Sequence, residues 1–164
     1  MEQKTMEQTE NAGDIDIKIK ERGNSDLSIN FQISKKLTMT IERKCLKAIE
    51  EIITFCSSGL RRPNYFVPFN VSDSYEIIKK AKEILNQERS VLQIDLNSTE
   101  NSSINVVGDI HGNIDILVRI FSSEGYPSTT KYIFLGDYID RGSNSCEVLI
   151  LLYSYKILFP NNVF

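Results

Sequence analysis

The sequence predicts an α/β fold in which parallel strands alternate with helices, and three observations carry that prediction. Apolar runs at Ile104 to Val107 and Tyr132 to Leu135 each lead into a glycine-bracketed acidic motif, GDIHG at 108–112 and GDYIDRG at 136–142. Each motif is followed by apolar residues at helical spacing: Ile116, Leu117, Ile120 and Phe121 after the first, Val148, Leu151, Leu152, Tyr155 and Leu158 after the second. Strand, loop and helix alternating in this order imply βαβ units with right-handed crossovers. In such sheets ligands sit beyond the carboxyl ends of the strands, and both motifs fall there.

The elements follow in chain order. Residues 1–39 are charged and polar with sparse aliphatics in IDIKIK and SINFQI, and read as a flexible tail with room for a short strand or two. From Thr40, a candidate N-cap, the positions Ile41, Cys45, Ala48, Ile49, Ile52, Ile53 and Cys56 recur at helical spacing, with Gly59 past the end. Arg61 to Asn70 carries two prolines and three aromatics, an irregular segment suited to docking on a surface, so 40–70 reads as a helix plus docking segment. A second helix is expected to start around Ser72 or Asp73, where Asp73 and Glu76 have capping-box spacing, and to run through Ile77, Ile78, Ala81, Ile84 and Leu85. Val91, Leu92, Ile94 and Leu96 suggest a short strand, and residues 97–103 a turn before the buried strand Ile104 to Val107. Asn113 can cap the helix that Gly125 and Pro127 end. Ser143 or Asn144 opens the last helix, Pro160 stops it, and Asn162 to Phe164 resemble the start of a further strand.

Composition narrows the function classes. The formal net charge of -3 and a pI near 5.3 lack the basic patch or stripe that nucleic-acid binding needs. Three cysteines without metal-site spacing, and no apolar N-terminal leader, indicate a reducing cytoplasmic or nuclear compartment. The longest apolar stretch, from Val148, is too short and interrupted to span a bilayer.

The motifs carry the chemistry. Asp109 and His111 are two residues apart, so both side chains can point to one side of an extended or turning segment, and Asp137 leaves the neighbouring strand at the equivalent point. Mixed carboxylate and imidazole ligands suit manganese, iron or zinc better than calcium. Two such ions roughly 3.5–4 Å apart can clamp a phosphate, with Arg141 as a bidentate partner of its oxygens. A bland use remains open for each residue: an aspartate after a strand often caps a turn or helix, and Arg141 can simply pair with Asp140 or Asp137.

GDIHG, GDYIDRG, the intervening helix with GYP, and the following SNSCEV and YKILFP stretches resemble the phosphoprotein phosphatases, the serine/threonine phosphatases of the calcineurin-like metallophosphoesterase class. The similarity runs from about Val71 to Phe164, so 71–164 is identified with the N-terminal half of a catalytic domain. The resemblance implies a central β-sandwich flanked by helices, here its first half. It implies Asp109 and His111 as ligands of one metal, Asp137 as the ligand shared by two, Arg141 as a phosphate-binding arginine, and Asp140 as the partner of a general-acid histidine. It further implies two divalent ions (manganese, iron or zinc), phosphoprotein substrates and regulatory subunits as partners.

The family's next motif, GNHE, supplies a second-metal asparagine and the general-acid histidine, and later histidines complete the site; none of these is among the 164 residues. At most one metal site is then partly retained, and this chain alone is expected to be inactive while a full-length parent hydrolyses phosphoserine or phosphothreonine. Two alternatives stand beside this reading: a bis-nucleoside tetraphosphatase-like hydrolase, which shares the GDxHG pattern, and a non-catalytic truncated remnant. The tetratricopeptide pattern of one branch of the family is absent, and the helix from Thr40 is either a docking element or a helix packed on the domain surface.

Overall fold

The computed structural model describes residues 11–12, 15–22 and 26–33 by backbone, and residues 40–58, 67, 69–94 and 103–164 with side chains. Strands β1 (Asn11–Ala12), β2 (Ile15–Arg22) and β3 (Asp26–Ile33) form an antiparallel sheet whose register pairs Ile15 with Ile33, Ile17 with Phe31 and Ile19 with Ile29. Helices α1 (Ile41–Ser57) and α2 (Val71–Leu85) follow, then β4 (Ile104–Val107), α3 (Ile114–Glu124), β5 (Lys131–Phe134) and α4 (Ser145–Leu158). β4 and β5 pair in parallel, and Val163 adds a parallel bridge to Tyr132, so the residues after α4 extend the same ladder. Each parallel neighbour is reached through one helix, as the alternation predicts. No helix among the described residues is long and apolar enough to cross a membrane.

α4 is the hub. Its buried positions run from Glu147 and Val148 through Leu151, Ser154 and Tyr155 to Lys156, nearly all round the cylinder, as expected of a helix enclosed by other elements. α1, α2 and α3 all pack against it. α1 contributes Cys45, Ile49, Ile52 and Ile53, the stripe that its spacing predicts, while α2 inserts only Ile77 and Ala81. On the sheet side Phe121 of α3 is the centre of an aromatic cluster, edge-on to Tyr132 at 5.1 Å and to Tyr155 at 5.3 Å. Such pairs add about 0.5–1.5 kcal/mol each beyond their area.

Three buried charged groups tie the helices together. Lys44 of α1 is bridged to Asp73 and Glu76 of α2 at 3.1 and 2.7 Å, and the Glu76 hydrogen bond, ahead of the opposing effect of burial, raises its pKa. Glu147, 1% exposed, accepts the Val67 N–H at 3.1 Å. It lies in the first turn of α4, where the helix dipole favours a carboxylate. Lys156 pairs with Glu88 beyond α2, and donates to the carbonyls of Val163 at 2.6 Å and Pro160 at 3.2 Å. That one ammonium therefore fixes α2, the end of α4 and the third strand position of the ladder.

Several local expectations need correction. α2 begins earlier than the capping-box spacing suggests: Asn70 is the N-cap, accepting from Asp73 N at 3.2 Å, and the Asp73 carboxylate goes to Lys44 instead. Val91 to Ile94 form no strand, and Val91 is 80% exposed. Alternation alone does not make a strand where no neighbour offers a ladder. In α3 the buried set is Ile114, Leu117, Val118 and Phe121, with Ile116 turned outward. Val106 of β4 is 60% exposed, so β4 is covered on one face only. The expected stop at Gly59, most of the aromatic segment (59–66 and 68) and the 97–102 turn lie outside the described residues.

Two expectations follow from this packing. Lys156→Met strands the buried Val163 carbonyl and frees Glu88, which should cost about 1–3 kcal/mol for an unsatisfied buried acceptor, read as a lower urea midpoint, with a smaller loss for Glu88→Gln. Burial pushes the Cys45 thiol from 9.0 up to about 12. Its folded pKa is raised, so the stability it contributes is complete below 9.0 and is lost as pH climbs through about 12. The denaturation midpoint should fall across that window, with a shallower slope in Cys45→Ala; equal slopes would refute the assignment.

Candidate metal centre

The two motif loops start level because β4 and β5 are in register, Val107 opposite Phe134, and Leu135 N donates to Val107 O at 2.9 Å. Beyond the strands the loops are laced backbone to backbone. Ile110 N and His111 N both donate to Asp137 O, at 3.1 and 2.9 Å, and Gly112 N donates to Tyr138 O at 2.8 Å. Gly112 O then accepts from Asn144 N at 3.1 Å, so the start of α4 is docked on the first motif. Asn113 caps α3 as predicted, accepting from Ile116 N at 3.1 Å.

The contact between the loops is too close for side chains. A Cβ on Gly142 would collide with the His111 carbonyl oxygen and lie 2.6 Å from the Gly112 carbonyl carbon, and one on Gly112, at φ 67°, would lie 2.7 Å from Ser145 Oγ. Gly108, by contrast, has open space where a Cβ would stand. Four non-glycine residues adopt left-handed backbone: His111 (φ 49°), Asp137 (52°), Asp140 (69°) and Arg141 (59°). Each such residue costs on the order of 1–3 kcal/mol, and such strain persists only where surrounding bonds over-determine it. The lacing described above does that for His111 and Asp137.

This backbone brings three predicted residues together. One donor atom each from Asp109, His111 and Asp137 lies within 4.8 Å of the others. His111 Nε2 is 3.6 Å from Asp109 Oδ2, and His111 Nδ1 is 3.2 Å from Asp137 Oδ1 and 3.3 Å from the Ile139 carbonyl. With its proton on Nδ1 the ring donates to Ile139 O and leaves the Nε2 lone pair outward, the arrangement by which an outer carbonyl orients a ligating histidine. Asp109 and Asp137 are mostly exposed, His111 half-buried. Two carboxylates and an imidazole at this spacing fit a divalent transition metal.

Asp140 and Arg141 are placed differently. Both are exposed on the second loop, and among the described residues neither side chain forms an ion pair or hydrogen bond, so the simple Asp140–Arg141 pairing is not made. The Asp140 carbonyl instead accepts from Gly142 N at 2.6 Å. The contributions to the site that sequence reasoning passed over are those of Gly142, the Ile139 carbonyl and the backbone N–H of Asn144, which was read only as a helix start. The signal for Gly142 was present as the last letter of the second motif; the other two act through backbone atoms, for which residue type carries no signal.

Residues 102–164 match the calcineurin-like phosphoesterase family. A serine/threonine-protein phosphatase of Caenorhabditis elegans is 38% identical over 90 residues, which cover 55% of this chain and 18% of that protein. Among solved structures, a protein serine/threonine phosphatase from Saccharomyces cerevisiae with similarity to human phosphatase PP5 superposes with a TM-score of 0.60 at 34% identity, over 73% of this chain and 36% of that one. The chain thus spans well under half the length of either relative. The strand-end motifs, their parallel framework and these similarities together identify the chain as carrying part of a phosphoprotein phosphatase catalytic domain of the calcineurin-like phosphoesterase family.

Proposed function

We propose that this stretch serves metal-dependent hydrolysis of phosphoserine and phosphothreonine in proteins, with residues 71–164 as the contributing part of the catalytic domain. The observation that carries the reading is the convergence of Asp109, His111 and Asp137 at the ends of two paired strands. Asp109 and His111 would hold one divalent ion, and Asp137, on the facing loop, would be shared with a second. Manganese, iron or zinc bound there would supply Lewis acidity toward a phosphoryl oxygen. Arg141, exposed and without a partner among the described side chains, is available to grip phosphate oxygens with its planar fork. Asp140, next to it on the same left-handed turn, is the carboxylate that would orient a general acid supplied from outside these 164 residues. Phosphorylated proteins are the substrates on this reading, with regulatory subunits as further partners and a reducing cytoplasmic or nuclear compartment as the setting.

A polypeptide of these residues alone has one histidine, so it cannot combine a histidine ligand with a histidine general acid. It is expected to bind metal without catalysing. Titration calorimetry with manganese should give saturable binding that His111→Ala abolishes and Gly142→Ala weakens at least ten-fold, because an added Cβ forces the loops apart. A folded chain that binds no manganese would overturn the ligand assignment.

With a small aromatic phosphate and manganese, the 164-residue chain should show no turnover above its His111→Ala variant. A protein containing this stretch within a whole phosphoesterase domain should hydrolyse a phosphoserine peptide, and Asp109→Asn should cost on the order of 10²-fold or more, given the several kcal/mol a bound metal contributes. Hydrolysis unaffected by that substitution would refute the mechanism.

A further inference from the structure

α2 presents two faces of different character. Its inner face is fixed, through Ile77 and Ala81, the Lys44 bridges to Asp73 and Glu76, and the Lys156 pair with Glu88 just beyond its end. Its outer face carries Val71, Tyr75, Ile78 and Leu85, which are 84%, 67%, 46% and 44% exposed. Their spacing of four, three and seven residues is the heptad spacing that keeps side chains on one stripe facing a partner helix, with Lys82 at the position the series skips. A 15-residue helix offers a stripe about 22 Å long. Four large apolar groups in line on a rigid helix exceed the scattered single exposures that surfaces normally show.

Charge selects the occupant. The carboxylates nearest the stripe are already engaged, Glu76 by Lys44 and Glu83 by Lys80 at 3.2 Å. Lys79 and Lys82 form no ion pair among the described residues. The stripe therefore carries uncompensated positive charge, Lys82 within it and Lys79 at its edge, in a chain whose net charge is -3. A second copy of this chain would bring lysines against lysines, and like charges across such a seam disfavour pairing.

We propose that the outer face of α2 is a docking site for an acidic amphipathic helix of a partner protein, with apolar residues at heptad spacing and carboxylates along its flanks. Its apolar seam lies on Val71, Tyr75, Ile78 and Leu85, and its carboxylates meet Lys79 at the edge of that seam and Lys82 within it. The site is formed by α2 alone and stands whether or not the catalytic reading above is correct.

The test uses the whole 164-residue chain and two labelled helical peptides with identical leucine heptads, one flanked by glutamates and one by lysines, in fluorescence anisotropy at low salt. The glutamate peptide should bind at least ten-fold more tightly than the lysine peptide. Ile78→Ser should weaken it at least ten-fold with an unchanged circular dichroism spectrum. The double substitution Lys79→Glu, Lys82→Glu should reverse the preference between the peptides, a readout that simple loss of folding cannot imitate. Equal binding of both peptides, absence of binding, or indifference to Ile78→Ser would overturn the proposal. So would self-association in sedimentation velocity that Ile78→Ser abolishes, since a second copy would then be the occupant.

Discussion

The constraint on which the rest depends is the backbone-to-backbone contact between the two motif loops. Asp137 O accepts two N–H groups from the first loop, Gly112 N reaches back to Tyr138 O, and Gly142 leaves no room for a Cβ between the loops. Backbone hydrogen bonds of this kind cannot shift one loop without stranding polar groups, and stranded buried groups are costly. The three donor side chains therefore inherit their spacing from the backbone and not from each other. This is why His111 and Asp137 can hold left-handed conformations that isolated residues of their type visit only as a minority.

α4 transmits that constraint to the core. Its first N–H contact is with Gly112 O from the N-cap, its first turn places Glu147 on Val67 N, and its last turn places Lys156 on the strand beyond. A helix buried nearly all round has no freedom to rotate or slide without breaking packing on every side. The loop between β5 and α4 is thus pinned at both ends, by the sheet and by the start of this helix. The exposed Asp140 and Arg141 sit on the short span that remains, free of side-chain partners among the described residues, where they are accessible to a ligand.

Much of this was legible in the sequence, and the reasons are physical. The β4–α3–β5–α4 alternation shows through because each element has its own apolar period, and Asn113 and Gly125 mark the limits of α3 by capping chemistry. The cluster of Asp109, His111 and Asp137 shows through because these residue types stand at matching distances from the ends of two paired strands. What escaped was set by tertiary choice between equivalent local options. Asp73 has capping-box spacing with Glu76, yet Asn70 caps and both carboxylates serve Lys44. Val91 to Ile94 are apolar enough for a strand, but hydrogen-bonding partners decide strands, and none is offered among the described residues. The burial of a lysine at position 156 is likewise hard to read locally, since it depends on two carbonyls just past α4 and on a carboxylate brought from beyond α2.

The uneven coverage of the sheet bears on function. Tyr132 and Phe134 point into the core while Val106 of β4 and Leu135, the residue after β5, are 60% and 69% exposed. Parallel sheets are ordinarily covered on both faces, because their crossovers lay helices against them, and here the helices α3 and α4 cover one. Val106 lies two residues before the first motif and Leu135 directly before the second, so a group packed against that face also approaches the metal-ligand candidates. Any wall laid over that face would therefore rest on Val106 and Leu135 and border the loops that carry Asp109, His111 and Asp137.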